Sequence, residues 1–279
     1  MRRHVASLSA LAVDIRPPLI EEVAVCGAWA LNTYVQCEFR CVYCITGAQG
    51  ESYPTCPREE IVPQLREELT AIDPGVRLMV GTLRDAYPWV EREHRVTRAA
   101  LEEIAGRGHS FGIITKGSLV LRDVDLLAAH ADRNVRVSLC TVDEVALSHV
   151  DPRAPSAAER IATIHSLRDA GVKVAVSAEP WIPFVSDAMA ILDAVDDDIP
   201  VRFAPLNVIN SAVAATPYGR RFRQPEINAA YRREFERVGI RPNVTWVRPI
   251  SFPGSEPEHH PFAELKARDR RGRAPAVEA

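Results

Sequence analysis

The sequence predicts an α/β fold of six parallel βα units, arranged either as a partial barrel or as an open, doubly wound sheet. Three observations support this prediction: short apolar runs recur between residues 29 and 207, they are rich in β-branched residues, and amphipathic stretches separate them. The 279 residues would allow two domains, but α/β barrels of about 200–250 residues often form one. The predicted strands are, in order, Ala30–Val35, Val76–Thr82, Phe111–Lys116, Val135–Cys140, Val174–Glu179 and Val201–Leu206.

The stretches between the strands carry helix signals. Pro57, Glu59 and Glu60 suit the first turn of a helix, because proline fits there and negative charge complements the helix dipole. Gly106 and Gly171 stand where helices commonly end. The other predicted helices are Thr97–Gly106, Asp123–Ala131, Ser156–Ala170, Ser186–Ala194 and Gln224–Val238.

The alternation weakens after Leu206, and beyond the last predicted helix the chain is rich in proline and is predicted to be irregular. We therefore divide the chain into four segments. They are an N-terminal extension (1–28), the core of βα units (29–207), a C-terminal segment that closes the core (208–266) and a tail predicted to be mobile (267–279).

Charge and hydropathy exclude two classes of protein. The 37 acidic and 34 basic residues give a formal net charge of −3, which argues against an electrostatic nucleic-acid binder. No apolar run approaches the roughly 18 residues needed to span a bilayer. The apolar stretch near the N-terminus is short and is interrupted by Asp14 and Arg16, which is atypical of an export signal. We therefore expect a cytoplasmic protein whose six cysteines are reduced.

Three of the cysteines form the strongest motif in the chain. Cys37, Cys41 and Cys44 follow the first predicted strand with C-x3-C-x2-C spacing. Thiolates of this kind bind zinc or iron–sulfur clusters. A structural zinc ion usually takes four ligands, and Cys56 can supply the fourth, whereas three cysteines leave one iron of a cubane open. The spacing therefore leaves both metals open and favours the cluster.

The cysteine array, with Tyr43 before its third cysteine, resembles the radical S-adenosylmethionine (SAM) superfamily. The resemblance implies that the cysteines hold a [4Fe–4S] cluster and that SAM chelates the open iron. Reductive cleavage of SAM would then give a 5′-deoxyadenosyl radical, with an electron donor such as flavodoxin or ferredoxin as a partner. It also implies a partial (β/α)6 TIM-type barrel with a C-terminal covering segment.

Four segments resemble the spore photoproduct lyase-like branch of that superfamily. They are Leu31–Cys37, Gly81–Pro88 with Glu91, Ile113–Lys116, and Asp151–Ser156 with Arg160. The lyase of that branch uses a hydrogen-donating cysteine at the end of strand two, where this chain has Val80, Gly81 and Thr82. This departure and the near-neutral charge favour small-molecule chemistry over DNA repair.

Side chains on a strand alternate between the two faces of the sheet. In the fourth predicted strand this places the apolar side chains on one face and turns Arg136, Ser138 and Cys140 towards the barrel interior. The same alternation turns Ser177 and Glu179 inward from the fifth strand. Ligands in such folds bind at the C-terminal ends of the strands, so these side chains are candidates for a binding site.

The resemblance implies cofactor-binding roles for Ser138 and for two residues elsewhere in the chain, Lys116 and Tyr43. Lys116 would bind the carboxylate of SAM, as an ammonium group pairs with a carboxylate. Ser138 would contact the methionine or ribose part, and Tyr43 would flank the adenine. A surface lysine and a plain core aromatic are the alternatives for Lys116 and Tyr43.

Three further residues have more evenly balanced interpretations. Thr82 and Asp85 are candidates for contacts to the amino group or ribose of SAM, although Asp85 can instead cap a turn. Glu179 can bind ribose or substrate hydroxyls, or pair with an arginine.

Cys140 supports a specific reaction hypothesis. A thiol that faces the cavity can return hydrogen to a substrate radical, which would permit epimerisation; the alternative is a small buried hydrophobe. We therefore predict a radical SAM enzyme that acts on a nucleoside, sugar or natural product. It is either an epimerase with Cys140 as the hydrogen donor or an enzyme of lyase or rearrangement type without a thiol donor. The alternatives are a photoproduct-lyase-type nucleic-acid repair enzyme and a non-catalytic module that binds zinc or a cluster.

Overall fold

The computed structural model of the chain describes residues 19–23, 28–44, 57–58, 60–206, 213, 215–219 and 223–247. Cys26, Cys56 and the predicted tail at 267–279 lie outside the described residues. The first 18 residues of the predicted N-terminal extension and the part of the closing segment beyond residue 247 also lie outside them.

The described residues form one eight-stranded sheet in which the strands follow one another in chain order. Strand β1 is antiparallel to β2, and every later pair is parallel. The strands are β1 (Ile20–Val23), β2 (Ala28–Leu31), β3 (Leu78–Val80), β4 (Phe111–Thr115), β5 (Asn134–Ser138), β6 (Lys173–Trp181), β7 (Val201–Pro205) and β8 (Val244–Trp246).

Helices alternate with the parallel strands and confirm the predicted α/β fold. They are α1 (Ile61–Glu68), α2 (Glu91–His94), α3 (Val96–Gly106), α4 (Val124–Ala128), α5 (Glu144–Val150), α6 (Ala157–Asp169), α7 (Ala188–Asp193) and α8 (Gln224–Val238). The 3-10 helices whose bounds lie within the described residues are Leu69–Ala71 and Ser118–Asp123. Within the described ranges, every helix is too short or too polar to cross a lipid bilayer.

All six predicted strands are present as β2 to β7, but the first is shifted towards the N-terminus. It was predicted as Ala30–Val35 and ends at Leu31. The side chain of Asn32 accepts hydrogen bonds from the backbone N–H groups of Leu83 and Arg84 at 3.0 and 3.1 Å. The chain leaves the sheet at Asn32 because these bonds tie it to the segment after β3.

The prediction of irregular structure after the last helix is wrong for Val244–Trp246, which pairs in parallel with β7 as β8. The backbone N–H of Val201 donates to the Asn243 carbonyl at 2.8 Å, and the Trp246 ring stacks on Phe203 with centroids 4.7 Å apart. Three residues are too few to show a strand period, so the pairing depends on the neighbouring strand.

The apolar side chains of the sheet are buried, and they alternate along the strands as the sequence predicts. Val135, Val137 and Leu139 are at most 1% exposed, as are Phe111 and Ile113 of the neighbouring strand. Because the strands are parallel, all their carboxyl ends meet at one edge of the sheet. The segments that follow β2 to β6 therefore surround a common space.

Candidate active site

A cavity of about 290 Å³ lies at the carboxyl edge of the sheet. All three predicted cluster cysteines line it: Cys37, Cys41 and Cys44. So do all six residues predicted to contact the cofactor: Tyr43, Thr82, Asp85, Lys116, Ser138 and Glu179. The remaining lining residues are Phe39, Gly81, Leu83, Arg84, Ile114, Ser177 and Pro180.

The cysteine loop is fixed to the protein by its backbone and its acidic residue. The N–H of Val42 donates to the Val150 carbonyl at 2.9 Å, and Glu38 accepts a hydrogen bond from the N–H of Val90 at 3.0 Å. Phe39 is buried and packs edge-on against Trp89, with ring centroids 5.7 Å apart. These contacts hold the loop against the end of α5 and against the segment that follows β3.

Burial raises the pKa of two thiols in this loop, those of Cys37 and Cys41. The pKa of Cys37 is raised to about 11 by burial and then by the nearby Asp85 carboxylate. The pKa of Cys41 is also raised, chiefly by burial and secondarily by Asp151. Binding of iron as thiolates would therefore release protons from these side chains.

Tyr34 and Thr33 connect the exit of β2 to a buried carboxylate. The Tyr34 hydroxyl donates to Glu91 at 2.5 Å, and Arg122 donates to the other oxygen of Glu91 at 2.6 Å. The Thr33 and Thr97 hydroxyls lie 2.8 Å apart. Glu91 is completely buried, so this network fixes the chain a few residues before Cys37. The sequence placed Glu91 in a motif but did not show this role.

Asp151 connects the cysteine loop to a buried arginine, Arg160. Its carboxylate accepts hydrogen bonds from the Tyr43 hydroxyl at 2.6 Å and from Arg160 at 2.8 Å. The side chains of Asp151 and Arg160 are both 0% exposed. Burial alone would raise the pKa of Asp151, but the cations Lys116 and Arg160 outweigh it and hold the pKa below its usual value. The sequence placed Asp151 and Arg160 in one motif but did not show their contact with each other or with Tyr43.

Lys116 follows the last residue of β4 and lines the cavity. The Lys116 ammonium is 5.6 Å from the centroid of the Tyr43 ring. Burial lowers its pKa, but attraction to Cys41 and Asp151 more than compensates, so the pKa is raised overall. The group therefore presents a positive charge to the cavity.

The Asp85 carboxylate accepts three hydrogen bonds from the protein. The donors are the Thr115 hydroxyl at 2.5 Å and the backbone N–H groups of Lys116 and Tyr87 at 2.7 and 2.9 Å. Its bond to Tyr87 is the turn cap that was the alternative interpretation of this residue. Burial raises the pKa of Asp85.

Gly81 allows the segment after β3 to approach β4. Its φ of +87° is in the region that favours glycine, and an added Cβ would lie 2.5 Å from the Ile114 carbonyl oxygen. The close approach places Thr82 and Asp85 beside Lys116 at the cavity.

The neighbouring strands β5 and β6 contribute paired serines. Ser138 and Ser177 are register partners, and both line the cavity, as the predicted alternation required. Glu179 also lines the cavity and forms an ion pair with Arg202, which was the alternative interpretation of that residue.

The structure does not place Cys140 in the cavity lining. Its side chain is buried, with Sγ 4.0 Å from an Asp151 oxygen. Burial, followed by the charge of Asp151, raises the pKa of this thiol to about 12. Strand β5 ends at Ser138, so the alternation that predicted an inward thiol no longer applies two residues later.

Several groups in the cavity suit an added ligand. The Thr82 hydroxyl and the Nε of Arg84 are buried, and neither forms a hydrogen bond. In the part of the chain that the structure describes, no group of three or more His, Cys, Asp or Glu side chains is arranged to hold one metal ion. In a cubane the three thiolates bind three different irons. The cysteines and the unpaired polar groups therefore fit a cluster with a bound cofactor.

Curated relatives share the core of this chain. The uncharacterized protein ORF301 of Acidianus two-tailed virus is 26% identical over 198 residues, which cover 61% of this chain and 65% of the relative. MJ0683 of Methanocaldococcus jannaschii is 25% identical over 170 residues, covering 59% and 64%. Rv2578c of Mycobacterium tuberculosis is 28% identical over 181 residues, covering 59% and 53%. The chain therefore spans less than two thirds of the length of these relatives.

Solved structures show the same fold. A tyrosine-to-phenylalanine variant of spore photoproduct lyase superposes with a TM-score of 0.57 at 15% identity, over 84% of this chain and 81% of the other. Streptococcus suis SuiB bound to the precursor peptide SuiA superposes with a TM-score of 0.53 at 14% identity, over 78% and 48%. A profile of the radical SAM superfamily matches residues 31–194, more than half of the sequence. The chain therefore belongs to the radical SAM superfamily, whose members use a [4Fe–4S] cluster and SAM.

Proposed function

We propose that this protein cleaves SAM reductively and acts on a small-molecule substrate, namely a nucleoside, a sugar or a natural product. One observation carries the proposal: nine residues selected from the sequence, three cysteines and six polar or aromatic residues, line one cavity. When bound, the cluster and SAM supply a 5′-deoxyadenosyl radical that removes hydrogen from the substrate. The electron would come from a partner such as flavodoxin or ferredoxin.

Within this proposal the protein holds both ends of SAM. Cys37, Cys41 and Cys44 are the ligands of three irons. The Lys116 ammonium pairs with the carboxylate of SAM, because it presents a charge to the cavity and no carboxylate of the described residues lies within ion-pair distance of it. Tyr43 flanks the adenine, with its hydroxyl held by Asp151.

Hydroxyl and carboxylate groups orient the rest of the cofactor. A carboxylate accepts about four hydrogen bonds, so Asp85, with three donors, has capacity for one more from the amino group or ribose of SAM. The Thr82 hydroxyl is buried without a hydrogen-bond partner, which supports a contact to the same part of the molecule. Ser138 contacts the methionine or ribose part. Glu179 binds ribose or substrate hydroxyls through the oxygen that Arg202 does not occupy.

Two features support a small-molecule substrate over a nucleic acid. The formal net charge of −3 provides no general attraction to phosphate backbones. The end of β3 carries Gly81 and Thr82, with no thiol where the lyase of the similar branch has its hydrogen donor. The likeness to spore photoproduct lyase structures is one of fold. A zinc module would require a fourth ligand such as Cys56, which lies outside the described residues.

Anaerobic reconstitution tests the proposal. We expect a brown protein with about four irons per chain that forms 5′-deoxyadenosine from SAM when a reductant is added. Iron content and chromatography of the nucleoside product measure the two properties separately. A colourless protein that binds one zinc ion and leaves SAM intact would contradict the proposal.

The epimerase form of the proposal assigns the hydrogen donation to Cys140, and the thiyl radical that this leaves is returned to the thiol by one electron from the electron-donor partner and one proton. The support for this form is that Cys140 is a buried thiol two residues after Ser138, and Ser138 lines the cavity. Because Sγ is turned towards Asp151, this form requires the side chain to rotate towards the substrate. In deuterated water, with a substrate that supports 5′-deoxyadenosine formation, the wild-type protein should place deuterium on the inverted carbon, and Cys140→Ala should not. Equal deuterium in the two products would remove Cys140 from the mechanism.

A further inference from the structure

The charges that line the cavity are unevenly compensated. Its two acidic residues are both occupied: Asp85 accepts three hydrogen bonds, and Glu179 pairs with Arg202. Its two basic residues, Lys116 and Arg84, have no carboxylate at ion-pair distance among the described residues. Lys116 and Arg84 are therefore two cations in the cavity lining without a carboxylate counterion among the described residues.

Arg84 is the less expected of the two. Its Nε is buried and forms no hydrogen bond, so the edge of the guanidinium that carries Nε lacks an acceptor. A guanidinium group is a cation, and a buried donor without an acceptor destabilises the folded protein. A bound anion would remove this destabilisation.

The segment that presents Arg84 is held in place. The backbone N–H groups of Leu83 and Arg84 both donate to Asn32 at the exit of β2. At the start of this segment the N–H of Gly81 donates to the Leu31 carbonyl at 3.0 Å, and Gly81 lies so close to the Ile114 carbonyl that a side chain would not fit there. The guanidinium is thus supported at the rim of the cofactor cavity by fixed backbone.

We propose that Arg84 binds an oxyanion group of the substrate, a carboxylate or a phosphate, through the paired donors of its guanidinium. The inference rests on the proposed function, in which Lys116 takes the single carboxylate of SAM. When Lys116 is paired with that carboxylate, the methionine part of SAM has no second carboxylate for Arg84. Planar guanidinium groups match carboxylates and phosphates in a bidentate manner, which suits Arg84 to this role.

Anion binding to the reconstituted protein tests this inference. With SAM bound and ionic strength fixed by chloride, inorganic phosphate and acetate are titrated separately by calorimetry. We expect at least one of them to bind the wild-type protein, to bind Arg84→Met at least tenfold more weakly, and to be largely retained by Arg84→Lys. Binding of phosphate alone indicates a phosphorylated substrate, and binding of acetate alone indicates a carboxylic acid.

The affinity for SAM separates the two cations. Lys116→Met should raise the Kd for SAM roughly 10- to 150-fold, the range expected for a hydrogen bond between charged groups. Arg84→Met should leave it unchanged, as should Lys173→Met, a matched control at an exposed lysine on the opposite edge of the sheet. A rise in the Kd for SAM in Arg84→Met would assign this residue to the cofactor and overturn the inference.

Failure of the inference and failure of the proposed function give different results. If the wild-type protein lacks iron or does not bind SAM, the proposed function fails before any anion is added. If iron and SAM bind normally but neither anion binds, or both bind Arg84→Met as they bind the wild type, only the role of Arg84 is refuted. Arg84→Lys keeps the charge and controls for loss of folding.

Discussion

Replacing Cys37, Cys41 and Cys44 with alanine together is expected to reduce the bound iron from about four atoms per chain to none and to abolish formation of 5′-deoxyadenosine. The three thiols line one cavity at the carboxyl edge of the sheet, where the cluster would otherwise form. All three side chains are only partly buried, so their removal should leave the fold intact. Iron analysis after anaerobic reconstitution measures the first effect, and product chromatography measures the second.

Cys140→Ala is the matched control, because it removes a thiol of the same chain that does not line the cavity. This variant should assemble the full complement of iron. Far-ultraviolet circular dichroism should be the same for the triple variant and the wild type. Retention of iron by the triple variant would mean that other thiols hold the metal, and the assignment of the ligands would then be wrong.

Several residues that line the cavity could be selected from sequence because they follow local rules. Ser138 and Ser177 were placed by the period of two along their strands, and their register pairing puts them side by side. Lys116 was placed by its position at the end of a strand. In a parallel sheet every such end lies at the same edge, so a local pattern was sufficient to predict a shared site.

The supporting contacts could not be predicted because they join distant parts of the chain. The Tyr43 hydroxyl bonds to Asp151, 108 residues further along the sequence, and Tyr34 bonds to Glu91 across 57 residues. Neither carboxylate shows a period or spacing that identifies its partner. Cys140 illustrates the converse: an alternation that is valid within β5 was extended past its last residue, where the backbone is no longer part of the sheet.

Replacing Asp151 with alanine is expected to lower the free energy of unfolding by about 3–5 kcal/mol, because it leaves Arg160 as a buried charge without a counterion. Both side chains are 0% exposed, and Nη1 of Arg160 lies 2.8 Å from the carboxylate. The Tyr43 hydroxyl loses its acceptor in the same variant. Urea unfolding of the protein before cluster assembly measures the change without a contribution from bound iron.

Asp169→Ala provides the comparison for this loss. Asp169 pairs with the adjacent Arg168 at the protein surface and is 68% exposed, so its removal should cost no more than about 1 kcal/mol. Asp151→Asn keeps the size of the side chain and one acceptor oxygen. The decrease in its free energy of unfolding should therefore lie between those of Asp151→Ala and Asp169→Ala. A change within 1 kcal/mol of the wild type for Asp151→Ala would show that Arg160 finds other compensation. In that case the ion pair between Asp151 and Arg160 would not be what stabilises the protein next to the cysteine loop.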